Sequence, residues 1–77
     1  MKKYELTTET KEIDGKTLYR IKALRDFRNV NAGDLGGFVE SEENLSHYDD
    51  AWVFGNAWVY GNAWVYGDAE ISKGMFR

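Results

Sequence analysis

From Ala51 the chain reads AWVFGN, AWVYGN, AWVYGD and AEISKG, which are four consecutive six-residue repeats in one phase. A period of six fits neither an α-helix, with about 3.6 residues per turn, nor the long alternation of an ordinary hairpin strand. Within a repeat, Ala-Trp-Val predicts a short strand with Trp on the opposite face from Ala and Val. The aromatic-Gly-Asn that follows predicts a turn. A strand and a turn every six residues predict a three-sided parallel β-helix.

The phase of the repeats extends upstream of Ala51. Val39, Leu45 and Val53 take the inward position of a first coil, with a two-residue insertion around Ser46–Asp50. The second coil then follows directly along the chain. The resulting register places four pairs of residues side by side on neighbouring strands: Val39 with Val59, Leu45 with Val65, Val53 with Ile71, and Phe38 with Trp58.

The first thirty residues follow a different pattern. Asp14-Gly15 is the signal of a two-residue hairpin turn. It predicts one strand through Thr8–Ile13 and a second through Thr17–Leu24, and Tyr4–Leu6 could add a third. We expect this hairpin to cap the N-terminal end of the solenoid, since solenoids need end caps.

The expected fold is therefore all-β: a short left-handed parallel β-helix of about two coils, capped by an N-terminal β-hairpin. A chain of 77 residues is one domain, with residues 1–31 as hairpin cap and connector and residues 32–77 as the hexapeptide-repeat part. Two coils are thin for stability, and the absence of cysteine excludes disulfides and thiolate metal sites. Subunit contacts remain as a source of stability, so a homo-oligomer, most simply a dimer, is expected.

The left-handed form of the helix comes from a resemblance. KALRDFRNVNAGDLGGFVESEENLSH, followed by repeated AWVYGN, resembles the YdcK-like hexapeptide-repeat proteins of bacteriophages and prophages. The resemblance runs from Lys3 to Asp68, and those proteins resemble left-handed β-helix acyltransferases in repeat type. Relatives carry many more such repeats, whereas this sequence has four. The resemblance implies a left-handed solenoid and a phage gene acting in the host cytoplasm, but no established activity.

The charge is unevenly distributed. Residues 1–31 hold eight Lys/Arg and five Asp/Glu, a charge of +3, and residues 32–77 hold two and eight, a charge of −6. This acidic half disfavours a nucleic-acid partner and would suit a basic protein groove, although a solvated acidic face is the simpler interpretation. No stretch approaches the roughly 18 apolar residues of a membrane span. The candidate acidic binding patch consists of five residues: Glu40, Glu42, Glu43, Asp49 and Asp50.

Catalysis and cofactor binding are not expected. His47 is the only histidine, and it follows Ser46 in the insertion, close to two aspartates that could orient it as a general base. No nucleophile accompanies it, and two coils offer little of the face that an acyl carrier needs. The carboxylates match no metal-loop spacing. Gly33–Gly37 lacks the Lys-Ser/Thr of a phosphate loop.

Aromatic residues form the more informative group. Large outward aromatics can simply shield strand faces, but three outward Trp within thirteen residues exceed what a small monomer leaves exposed. Trp and Tyr also dominate interface hot spots. After Ile71, Met75 and Phe76 either join an end-to-end dimer contact or fold back as a cap. The candidate interface residues are Trp52, Phe54, Trp58, Tyr60, Trp64, Tyr66, Met75 and Phe76.

Three functional classes follow from these observations. The first is a non-catalytic phage-type interaction protein that binds and inhibits a bacterial host factor, such as a CRISPR-type component of an antiviral defence system. The second is a structural module that self-associates end to end. The third is an acyltransferase-like remnant or subunit, supported only by the repeat type and His47.

Overall fold

The computed structural model describes residues 2–76, without the side chains of Met75 and Phe76. This part of the chain contains seven strands and one short 3₁₀ turn. The 3₁₀ turn, Glu42–Asn44, follows the third strand, and the last four strands have two residues each. The strands in chain order are β1 (Tyr4–Ile13), β2 (Lys16–Ala23), β3 (Leu35–Val39), β4 (Trp52–Val53), β5 (Trp58–Val59), β6 (Glu70–Ile71) and β7 (Met75–Phe76).

The N-terminal hairpin has the turn that the sequence predicts. Asp14 and Gly15 connect β1 to β2 with positive φ values of 53° and 79°, as a tight hairpin turn requires. The two strands pair antiparallel, and an irregularity interrupts the register between Leu6 and Thr10. The expectation of a separate third strand over Tyr4–Leu6 is wrong, because those residues begin β1 and the bulge lets one strand run through.

The main sheet has five strands in the order β1-β2-β3-β5-β7. The β1–β2 and β2–β3 pairs are antiparallel, whereas β3–β5 and β5–β7 are parallel. The prediction of a left-handed parallel β-helix is therefore wrong as a description of the fold: this is a mixed sheet, antiparallel for the most part. The physical reason is that β1 and β2, with 10 and 8 residues, outweigh the two-residue strands of the repeats. The hairpin belongs to the sheet instead of forming a separate cap.

The pairs that the repeat phase predicts are nevertheless present one by one. Phe38 and Val39 pair parallel with Trp58 and Val59. Leu45 forms a parallel bridge with Val65. The remaining predicted pair, Val53 with Ile71, lies in a separate two-stranded parallel sheet of β4 and β6.

The N-terminal residues supply much of the hydrophobic core. The inward repeat residues pack with Tyr4, Ile21, Ala23, Phe27 and Val30 in one cluster. A smaller cluster consists of Leu18, Phe38 and Tyr60, with Ile13 and Trp58 packed against it. The repeats do not build a core of their own, because the hairpin and connector contribute side chains to both clusters.

Gly37 lets β3 lie directly against the loop after β4. A Cβ atom at this position would lie 2.6 Å from the carbonyl oxygen of Ala57 and 2.6 Å from Cγ1 of Val53. Both neighbours are buried and have little room to move. The glycine is therefore required by close approach of the backbone.

We expect Gly37→Ala to lower the free energy of unfolding by about 1–3 kcal/mol, because the added methyl group overpacks a buried site. Chemical denaturation followed by circular dichroism measures the change. Thr8→Ala, on the exposed part of β1, is the control and should change stability by no more than about 0.5 kcal/mol. Equal stabilities of the wild type and Gly37→Ala would contradict this account of the packing.

Candidate functional site

Only part of the predicted aromatic interface is exposed. Trp52 and Tyr60 are each 2% exposed, so their assignment to an interface is wrong. Phe54 and Trp58 are half-buried, and the Lys11 ammonium lies 5.1 Å from the centre of a Trp58 ring. Among the predicted residues whose side chains the structure describes, the two that remain open to solvent are Trp64, 58% exposed, and Tyr66, 57% exposed.

Trp52 is buried because the connector folds over it. Phe27 meets its indole edge-to-face, with ring centroids 5.2 Å apart, and Tyr4 does so at 6.3 Å. Arg28, next to Phe27, pairs with carboxylates of the C-terminal repeats: Asp68 at 3.0 Å, and Glu70. The repeats alone do not indicate this cover, since Phe27 and Tyr4 lie 25 and 48 positions upstream of Trp52.

Trp64 and Tyr66 form a stacked pair at one end of the repeats. Their ring centroids lie 4.4 Å apart with an interplanar angle of 24°. They border an open groove of about 490 Å³, together with Val65, Asp68 and Ile71. Neighbouring alanine and glycine residues complete the lining, which is mostly apolar. We call these two side chains and the groove beside them the aromatic end.

The backbone at the aromatic end is paired on one side only. The Val65 N–H donates to the Asn44 carbonyl, and the Val65 carbonyl accepts from Ser46, both at 2.9 Å. Successive residues of a strand direct their backbone groups to opposite edges, so Trp64 and Tyr66 face the other side. Among residues 2–76, the N–H groups of Trp64 and Tyr66 and the carbonyl of Trp64 make no hydrogen bond. Unpaired backbone on either side of a bridge residue can pair with a further strand.

Met75 and Phe76 were also predicted to lie at this interface. Their backbone forms β7, which pairs parallel with β5. Their side chains lie outside the described part of the structure, so their predicted contact role stays a prediction.

The five acidic residues do not act as one free patch. Glu40 lies 3.8 Å from the Lys16 ammonium and accepts a hydrogen bond from the Gly61 N–H at 2.8 Å. Asp50 lies 3.9 Å from Arg28, and Glu43 is exposed within the 3₁₀ turn. Most of the charge asymmetry of the sequence is thus compensated inside the fold, because basic residues of the first half form ion pairs with acidic residues of the second.

The carboxylates of Glu42 and Asp49 each have two hydrogen-bond partners within the chain. The hydrogen bond from Lys2, at 3.0 Å, together with one from His47, keeps the pKa of Glu42 below its usual value despite partial burial. Burial opposes ionisation of Asp49, but the Gly67 amide, at 2.6 Å, and a second backbone N–H keep its pKa low. Among the described residues, no group of three His, Asp or Glu side chains is arranged to hold a metal ion.

His47 is a structural residue with both ring nitrogens engaged. Its Nδ1 accepts a hydrogen bond from the Lys3 backbone N–H at 3.2 Å, so the ring proton is on Nε2 and is donated to Glu42 at 2.8 Å. The ring stacks on Tyr4, with centroids 4.0 Å apart and an angle of 9°. Neither nitrogen is free to take a proton from a substrate.

Lys3 and Tyr4 are important residues that sequence reasoning missed. The Lys3 side chain is fully buried; its ammonium donates to the carbonyls of Asp49, at 3.0 Å, and Ala51, and lies 3.8 Å from an Asp49 carboxylate oxygen. Tyr4 donates its hydroxyl proton to the Leu45 carbonyl at 2.6 Å. Together they fix the start of β1 to the insertion between the repeats. Nothing in a Lys-Lys-Tyr sequence indicates this role.

No protein-family model matches the chain, and no curated protein is significantly similar to it. Within residues 2–76, no helix is long and apolar enough to cross a membrane.

Lys3 makes stability depend on pH in alkaline solution. Burial lowers its pKa to about 8 from 10.5, although Asp49 opposes the shift. Between these values the unfolded chain binds more protons than the folded one, so raising the pH favours folding. We expect the free energy of unfolding to gain up to about 1.4 kcal/mol per pH unit from this group between pH 8 and about 10. Burial of Tyr4 raises its pKa, which opposes stability above about pH 10.

Denaturation of the wild type and Lys3→Met across this pH range isolates the effect, because both proteins keep Tyr4. The rise in the free energy of unfolding between pH 8 and about 10 should be absent in Lys3→Met. It should be retained in the control Lys2→Met, because the Lys2 side chain is exposed. An identical pH dependence in the wild type and Lys3→Met would show that the buried ammonium does not titrate in this range.

Proposed function

We propose that this protein is a non-catalytic, phage-type interaction protein that binds and inhibits a bacterial host factor, such as a CRISPR-type component of antiviral defence. The observation that carries the proposal is the stacked, exposed pair of Trp64 and Tyr66 beside an apolar groove. Aromatic side chains bury large areas at little entropic cost, which is why they anchor protein interfaces.

The other candidate surfaces have less support. Four of the five acidic side chains are engaged within the chain, so attraction of a basic groove is weaker than the net charge of −3 suggests. The acyltransferase-like alternative needs a free imidazole nitrogen, and those of His47 bind Glu42 and the backbone of Lys3. The resemblance of residues 22–47 to the YdcK-like proteins of phages supports the biological context of the proposal.

A structural module that self-associates is the second candidate. The observation in its favour is the unpaired backbone of Trp64 and Tyr66, because a free strand edge invites pairing with another chain. The two candidates share a surface and differ in what occupies it.

The proposal is tested by phage plaquing on bacteria that carry, or lack, the targeted defence system. Expression of the wild type should restore plaquing on defended cells only, and Trp64→Ala with Tyr66→Ala should abolish the effect. Loss of an aromatic hot spot costs about 2 kcal/mol or more, or roughly thirtyfold in affinity. The matched control is Tyr48→Ala, since this tyrosine is 95% exposed and does not border the groove.

His47→Gln separates binding from catalysis in the same assay. We expect it to retain inhibition once folding has been verified, because no proton transfer is involved. Full activity of the Trp64, Tyr66 double variant, or a hundredfold loss in a folded His47→Gln, would overturn the proposal.

A further inference from the structure

We propose that the connector forms a flap over the core, which the ion pairs of Arg28 hold closed and which opens while the two sheets stay intact. The flap consists of residues 25–33. In the closed form Phe27 and Val30 are buried, and Phe27 covers one side of the Trp52 indole. Opening takes both residues out of the core and exposes Trp52 on that side. Because charges hold the flap, added salt favours the open form.

The two ends of the flap are joined at its base, next to the hairpin. The Ala23 N–H donates to the Asp34 carbonyl, and the Gly33 N–H donates to the Ala23 carbonyl, both at 2.8 Å. The Leu24 N–H donates to the Lys3 carbonyl at 2.7 Å. All of these bonds lie outside residues 25–32 on the acceptor side, so the base stays in place when the flap moves. The strand pairs of β2 with β1 and β3 are then left unbroken.

No backbone hydrogen bond joins the flap to the repeats within residues 2–76. Phe27 and Val30 bond each other, N–H to carbonyl, at 2.9 and 2.7 Å, which makes a two-residue turn with Arg28 and Asn29 at its tip. The other backbone bonds of the flap are internal or reach its base. Side chains alone therefore hold the flap on the repeats, and a segment held in this way can open locally.

Arg28 is the charged contact between the flap and the repeats. Its guanidinium lies 3.0 Å from Asp68 and 3.9 Å from Asp50, and it also bonds Glu70. The backbone of Arg28 has a φ of 48°, a left-handed conformation that is unfavourable for a residue with a Cβ atom. Such a conformation persists only where surrounding contacts hold it, and opening the flap releases it.

The ion pairs are accessible to dissolved salt. The carboxylate side chains of Asp50, Asp68 and Glu70 are 46%, 87% and 49% exposed. Exposed ion pairs are individually weak, so the three together should change the opening equilibrium by about tenfold. The apolar contacts of Phe27 and Val30 keep the open form rare. Opening must therefore be measured by a method that detects a minor population.

Cysteine labelling measures it, because the chain has no cysteine of its own. Val30→Cys places one thiol under the flap. Val59→Cys is the matched control, since Val59 is buried in β5 with a strand on either side. Uncharged iodoacetamide is the probe, and each rate is divided by that of the unfolded protein at the same salt concentration. We expect Val30→Cys to be labelled at least about tenfold faster than Val59→Cys.

Salt and charge variants test the ion pairs. Raising sodium chloride from about 0.05 M to about 1 M shortens the screening length to about 3 Å and should speed labelling of Val30→Cys by about three- to tenfold. Arg28→Gln should raise the rate at low salt by about tenfold and remove the salt dependence, and Arg28→Lys should restore part of it. Lys73→Gln, which removes an exposed cation of the last repeat, should leave the rate within about twofold.

Two results would overturn the inference. If Val30→Cys is labelled no faster than Val59→Cys, residue 30 is exposed only by global unfolding and no flap exists. If labelling of Val30→Cys responds neither to salt nor to Arg28→Gln, the ion pairs do not hold the flap. Circular dichroism of each variant verifies that it is folded.

Amide hydrogen exchange of the wild type tests the same opening without a substitution in the core. The amides of Phe27 and Val30 should exchange about three- to tenfold faster at about 1 M salt than at about 0.05 M. The Phe38 amide, which is bonded across the main sheet, should exchange at the same rate in both. Unchanged exchange at Phe27 and Val30 would likewise contradict a flap held by charge.

Discussion

The antiparallel pairing of β2 with β3 is the interaction on which the rest of the structure depends. It fixes the N-terminal hairpin to the first strand of the repeat region, with Tyr19 opposite Val39 and Lys22 opposite Leu35. The two-residue strands that follow have few hydrogen bonds each and could not hold a sheet together alone. Once β3 is anchored, each short strand adds to an existing edge.

That anchoring also explains how a small chain without disulfides obtains a core. The hairpin and connector bring Tyr4 and Phe27 onto Trp52, so a tryptophan that the repeats direct outward becomes a core residue. The same segments carry the cations that meet the acidic repeats, among them Arg28 beside Asp68 and Glu70. The core contacts and the ion pairs therefore both join the two halves of the sequence, and neither half forms them alone.

Local signals were sufficient for part of this structure. The Asp14-Gly15 turn and the pairing of Val53 with Ile71 follow from backbone chemistry and a strict period, which are properties of neighbouring residues. The class of the fold could not be predicted in the same way, because strand direction in the main sheet depends on where the hairpin docks. For the site, Trp52 and Trp64 stand in the same Ala-Trp-Val sequence, yet Trp52 is buried and Trp64 is exposed. Their difference is set by Phe27 and Tyr4, and a repeat pattern contains no information about such distant cover.

The three tryptophans thus occupy three environments within one repeated sequence. Trp52 is enclosed by aromatic edges, Trp58 lies under a lysine ammonium, and Trp64 is largely in water. Indole emission shifts to longer wavelength in polar surroundings, so the intrinsic fluorescence of this protein is a sum of distinguishable components. Acrylamide reaches Trp64 first and Trp52 last. The chain therefore carries its own set of optical reporters, one for the core, one for the sheet face and one for the exposed end of the repeats.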